Sequence, residues 1–167
     1  PDSLDAVEPF LFNLFNDPDI INFPLSFLFR RKLAKLISSK RAPRIQEQYK
    51  KIGGKSPILD ITTEQAKLLE AELNKNIDAK VFIAMRYWKP FTADAVKAVE
   101  EYNPGKIILL PLYPQYSVAT TGSSVKEWNR NISTSEKLKA VPSVLVEKYH
   151  LNDLYIASFA ERVKQGL

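Results

Sequence analysis

Lys106-Ile107-Ile108-Leu109-Leu110-Pro111-Leu112-Tyr113-Pro114-Gln115-Tyr116-Ser117-Val118-Ala119-Thr120-Thr121-Gly122-Ser123-Ser124 is the stretch on which the fold turns. The apolar run up to Leu110 reads as a buried parallel strand, Lys106 to Leu110, which opens into a loop of aromatic rings and hydroxyls. A helix from about Thr120 to Asn131 follows, with Thr-Thr-Gly-Ser-Ser in its first turn. Open α/β sheets place ligands at such junctions, because free backbone N–H groups and the positive end of the helix converge there. The tyrosines and hydroxyls favour a flat, apolar ligand carrying carboxylates; a nucleotide would ask for more glycine.

Working outward, helices and short strands alternate. Asp2 or Ser3 can cap a first helix to about Asn16, with Leu4, Val7, Phe10, Leu11, Leu14 and Phe15 on one face, and Asn16-Asp17-Pro18-Asp19 stops it. After Phe23-Pro24 a second helix carries Leu25, Leu28, Phe29, Leu33, Leu36 and Ile37, and Ala42-Pro43 is expected to break it. Arg44 to Lys51 then makes a short further turn or helix, ending at Gly53-Gly54. Thr62 with Gln65 reads as a capping box that opens a helix to about Asn76. Lys80 to Met85 is expected as a strand, Thr92 to Tyr102 as a helix, Ser143 to Glu147 as a weaker strand, and Leu151 to Lys164 as an amphipathic helix. This alternation predicts an α/β fold, a Rossmann-like parallel sheet flanked by helices. Three strands would leave long edges exposed, so a further strand ahead of Pro1 is expected.

At 167 residues and 45% apolar side chains, the chain is expected to form one domain over residues 1–167. The absence of cysteine excludes disulfides, thiolate metal ligands and thiolate nucleophiles within this sequence, and fits a reducing cytosol or matrix. No apolar run approaches the roughly 20 residues that span a bilayer. The net charge of +5 is concentrated between Arg30 and Lys51, where Glu47 is the single acid. Such a face seeks anions: a carboxylate or phosphate on a ligand, nucleic-acid backbone, or acidic lipid headgroups.

Arg86-Tyr87-Trp88 follows one expected strand, while Tyr113, Tyr116 and Ser117 follow the next. In a parallel sheet both groups would lie on the same edge. Ser56, just past the glycine pair and held extended by Pro57, can turn its hydroxyl into a pocket. Other features carry no chemistry. Gly53-Gly54-Lys55-Ser56 lacks the first glycine and the preceding strand of a phosphate loop. His150 has no second histidine to work with and reads as a surface or capping residue. Asp60, Glu64, Glu70 and Glu72 read as the solvated side of a helix and its approach.

Several motifs, in order along the chain, resemble the ferrochelatase family. They are Asn13-Leu14-Phe15-Asn16-Asp17-Pro18, the run from Arg44 through Gln46-Glu47-Gln48-Tyr49 to Gly53-Gly54-Lys55-Ser56-Pro57, Met85-Arg86-Tyr87-Trp88, and Tyr113-Pro114-Gln115-Tyr116-Ser117 with Thr120-Thr121-Gly122-Ser123-Ser124. The resemblance implies insertion of ferrous iron into protoporphyrin IX, the last step of haem synthesis, by a parent enzyme of which this is the first of two similar α/β domains. Arg41, Tyr49 and Ser56 would line the porphyrin pocket, with Arg41 pairing a propionate. Arg86, Tyr87 and Tyr113 would line the inner wall where metal approaches the macrocycle. The stretch around Phe27 to Arg31 would meet a membrane surface, and the location implied is cytoplasmic and membrane-associated. Val118 stands where some members carry a cluster-binding cysteine, so no iron–sulfur cofactor is expected. The family's proton-accepting histidine and its partner glutamate would lie beyond Leu167, leaving no catalytic residue in this segment. The partners implied are protoporphyrin IX, ferrous iron and the C-terminal half of the same enzyme, without nucleic acid. The rival reading is a non-enzymatic α/β module that binds nucleic acid or acidic membrane through its basic cluster.

Overall fold

The computed structural model describes residues 1–20 and 26–166, and the side chains of residues 26–28 are outside the description. The expected Phe23-Pro24 helix entry, Leu25, and the side chains of Phe27 and Leu28 on the expected membrane-facing stretch therefore lie outside the described residues. The chain is α/β, with helices flanking a small parallel sheet, and it falls into two compact units, Pro1–Glu101 and Tyr102–Leu167.

The first unit is built on α1 (Val7–Phe15) and α2 (Ser26–Lys50). Ser3 Oγ accepts the Ala6 N–H at 3.2 Å just ahead of α1. Val7 and Leu11 of α1 bury against Ala42 of α2, and Phe10, Phe15, Ile45 and Tyr49 pack around them. The break expected at Ala42-Pro43 does not occur: α2 runs on through Pro43. An interior proline costs a helix about 3 kcal/mol through its missing N–H and its ring clash. Packing offsets that here, because Ala34, Ser38 and Ala42, four residues apart, are all buried on one face, with Ile45 and Tyr49 against the α1 core beyond the proline. The chain leaves α2 through Gly53 and Gly54 at φ 93° and 79°, left-handed backbone that a Cβ disfavours, and Gly54 N–H closes on the Tyr49 carbonyl at 2.8 Å.

α3 (Ile58–Leu73) starts four residues before the expected Thr62 cap, at Pro57, with Ser56 Oγ accepting the Ile58 N–H at 3.3 Å. Proline at a helix start loses no intrahelical bond, so it outcompetes the later threonine. Lys80 to Met85 does not form the expected strand: residues 78–84 have no regular structure, and Met85 makes one isolated bridge, to Phe91. A strand needs a ladder, and the first unit has none among its described residues. Local acceptors take the backbone donors instead. Asn74 Oδ1 accepts from Ala79 N–H at 3.1 Å, Glu70 Oε2 from Val81 N–H at 2.8 Å, and the Pro90 carbonyl from Met85 N–H at 2.8 Å. α4 (Thr92–Tyr102) closes the unit with Ala95, Val96 and Val99 buried.

In the second unit β1 (Ile107–Leu109) pairs in parallel with β2 (Ser143–Leu145), Ile107 opposite Ser143. Between them run a single π-type turn at Val118–Gly122, α5 (Ser123–Ile132) and a short 3-10 turn at Leu138–Ala140. Trp128 and Leu138 are its buried apolar residues beside Ile107. Asn152 Oδ1 accepts from Leu154 and Tyr155 N–H at the start of α6 (Asp153–Gly166), whose Leu154, Phe159 and Val163 are exposed.

Candidate functional site

In the first unit the candidate residues gather around the end of α1. Asp17, which the sequence offers as part of a helix stop and of the Asn13-to-Pro18 motif but not as an anchor, has a side chain 1% exposed. Its Oδ2 accepts from Arg86 Nη2 at 2.7 Å and from the Tyr87 hydroxyl at 2.8 Å, while Oδ1 accepts from Asp19 N–H at 2.8 Å. The Arg86 guanidinium also lies over the Tyr87 ring, 5.1 Å from its centre. Asn13 Nδ2 donates to the Tyr87 carbonyl at 3.0 Å, adding a second tie between α1 and this segment. Burying a lone carboxylate would cost several kcal/mol, so Asp17 tolerates its burial through these donors. The polar ends of both Arg86 and Tyr87 are thus tied to Asp17.

Arg41 and Tyr49 stand on α2, eight residues apart, and Ser56 follows the glycine turn. The Arg41 guanidinium lies 5.4 Å from the centre of the Phe15 ring, a cation–π contact at the end of α1, two residues from Asp17. Tyr49 is half-buried against the α1–α2 core. Ser56 is also half-buried: its N–H donates to the Pro1 carbonyl at 2.9 Å, and its hydroxyl serves the first turn of α3. Arg41 thus meets the end of α1 at Phe15, and Arg86 and Tyr87 meet the chain two residues on at Asp17, with Tyr49 farther along α2.

Tyr113 belongs to the second unit and is 44% exposed. The loop it opens is held by its own backbone. The Pro114 carbonyl accepts from both Tyr149 N–H and His150 N–H, at 3.0 and 3.1 Å, and lies 3.2 Å from His150 Nδ1. His150 is therefore anchored to the loop. Ser117 Oγ accepts the Thr120 N–H at 3.2 Å and lies 2.6 Å from the Thr120 hydroxyl, while the Ser117 carbonyl accepts from Gly122 N–H at 3.0 Å. A Cβ on Gly122 would stand 3.0 Å from the Tyr116 hydroxyl, so glycine lets that phenol lie against the turn. Tyr116, Gly122, Val125, Lys126, Asn129, Leu145 and Glu147 line a hollow of about 360 Å³. Among the described residues no group of three or more His, Cys, Asp or Glu side chains could hold a metal ion.

A parallel strand that runs into a tyrosine and hydroxyl loop ahead of a helix defines an α/β protein with a candidate ligand site at the strand's end. Comparison narrows the class. The family model for ferrochelatase matches residues 1–167. The ferrochelatase of Aquifex aeolicus is 45% identical over 169 residues, covering all of this chain and 52% of that relative. The chloroplastic ferrochelatase-2 of Hordeum vulgare is 43% identical over all of the chain and 35% of its own length, and the Pelagibacter ubique ferrochelatase is 56% identical over 77% of the chain and 38% of its own. The chain belongs to the ferrochelatase family. It spans between about a third and about half of the length of these relatives.

Proposed function

We propose that the polypeptide carrying this chain inserts ferrous iron into protoporphyrin IX, and that these 167 residues supply much of the porphyrin-binding wall. Family membership over residues 1–167 carries the reading. In it the chain is the N-terminal, Rossmann-like α/β domain of the enzyme, working with the C-terminal half. Arg41 pairs a porphyrin propionate, Tyr49 and Ser56 complete that side of the pocket, and Arg86, Tyr87 and Tyr113 line the wall where iron approaches. Two pyrrole protons must leave as the metal enters, which requires a base of near-neutral pKa. The one histidine of the chain, His150, does not match the position of the family's proton-accepting histidine, so the reading takes the histidine and glutamate of catalysis from the C-terminal half. Iron is a substrate here, and Val118 offers no thiolate, so no iron–sulfur cofactor is assigned. The proposed setting is the cytoplasm at a membrane surface: α2 exposes Phe29 and Leu36 beside Arg31, Lys32 and Lys35, and none of the described helices is long and apolar enough to cross a bilayer.

Zinc insertion into a soluble porphyrin, followed by fluorescence, tests the proposal. The intact protein should turn over and the isolated 167 residues should not; sustained turnover by the segment would remove the assigned role of the C-terminal half. Arg41→Ala and Ser56→Ala in the intact protein should each weaken porphyrin binding. Unchanged porphyrin affinity in both, with salt-sensitive binding to nucleic acid or acidic vesicles, would favour the rival basic module instead.

A further inference from the structure

We infer that Asp17 is a positioning residue for the porphyrin wall, holding Arg86 and Tyr87 in a single orientation; the inference rests on the functional reading above. Arg86 and Tyr87 project from residues 86–90, a bend without helix or strand whose base is closed by the Met85 N–H to Pro90 carbonyl bond. No ladder fixes such a segment, so its side chains take their direction from the groups that bind their polar ends. Asp17 provides this for both residues through one oxygen, Oδ2, and its own burial at 1% exposure makes the pairing hard to give up. Its second oxygen is held by Asp19 N–H, which fixes the carboxylate plane. The guanidinium over the Tyr87 ring also packs the two side chains against each other. A wall residue displaced by about 1 Å can lower a rate on the order of 100-fold, so a carboxylate that never touches substrate can govern turnover.

The experiment uses the intact protein, with Asp17→Asn, Arg86→Gln and the Asp17→Asn/Arg86→Gln pair, zinc and a soluble porphyrin as substrates, and the fraction folded measured by circular dichroism. Turnover per folded molecule should fall about 10- to 100-fold in Asp17→Asn. The pair should be no worse than Arg86→Gln alone, because the residues act as a unit. Wild-type turnover per folded molecule in Asp17→Asn, or a pair whose losses multiply, would overturn the inference. If Asp17→Asn alone fails to fold, the pair removes both charges together, and its comparison with Arg86→Gln carries the same test. An independent reading comes from the Arg86 guanidinium by nuclear magnetic resonance. Resolved Nη signals are expected in wild type and averaged signals in Asp17→Asn, whereas averaged signals in wild type would overturn the clamp whatever the activity. An intact wild-type protein with resolved Nη signals but no metal insertion would refute the functional reading, and with it any positioning role in turnover, while leaving the clamp in place.

Discussion

Two candidate wall segments are held by opposite means. Around Asp17 a buried carboxylate binds side chains about 70 positions later, Tyr87 being 70 residues on. From Tyr113 to Ser124 the loop is held mostly by neighbours: Ser117 with Thr120 and Gly122, Gly122 making room for Tyr116, and a single carbonyl, Pro114, reaching forward to Tyr149 and His150. The contrast teaches where fragility lies. A clamp made of buried charge fails abruptly when one partner goes, whereas a loop of local neutral bonds loses its parts one at a time.

Asp17→Ala is the strongest way to break the comparison. It leaves a guanidinium only 17% exposed without its carboxylate, and should cost about 3 kcal/mol, the low end for a broken buried pair because some water still reaches Arg86. Urea unfolding followed by circular dichroism measures it; a loss equal to that of Ser117→Ala would erase the distinction. Ser117→Ala itself removes an oxygen that accepts a helix-start N–H, and should cost about 1 kcal/mol in the same assay. Gly122→Ala should change stability by about 0.5 kcal/mol or less. The helical preference of alanine offsets the shift forced on the Tyr116 hydroxyl, so its signature is a changed tyrosine environment in near-ultraviolet dichroism.

The faintest effect concerns Glu70, a carboxylate that also ties down a loop but with its side chain 27% exposed. Its hydrogen bond from Lys80, helped by the Val81 N–H, holds its pKa below the ordinary 4.5. Because the folded state binds this proton less readily than the unfolded chain, the contribution is complete above about 4.5 and is lost as pH falls through the lower folded value. Glu70→Gln should therefore flatten the acid limb of stability against pH and leave the slope near neutrality unchanged. An unchanged acid limb would show that the tie contributes nothing in solution.

The turn that follows Tyr116 was legible because its determinants are local. Ser117, Thr120 and Gly122 suggest a turn and helix start by their local chemistry, and the runs Arg44 to Pro57 and Met85 to Trp88 are recognisable as strings. Asp17 was not legible as an anchor, since Asn-Asp-Pro-Asp has the composition of any helix stop and its burial depends on a segment 70 residues away. Glu70 was misleading for the same reason, sitting among other acids on a helix that reads as solvated. The continuous α2 was hidden by Pro43 and by a buried face made of Ala34, Ser38 and Ala42, small residues that lack the apolar signature of a core.

By itself the sequence determined the family, through motif strings that resemble it, and the parallel pairing of the strands at Ile107 and Ser143, which depends on periodicity and short-range spacing. Only the tertiary structure decided that Lys80 to Met85 is tethered rather than laddered, that packing carries a helix through Pro43, and that Asp17 holds Arg86 and Tyr87. Each of those outcomes is a competition between a local preference and a distant partner, and the partner's position is set by the fold.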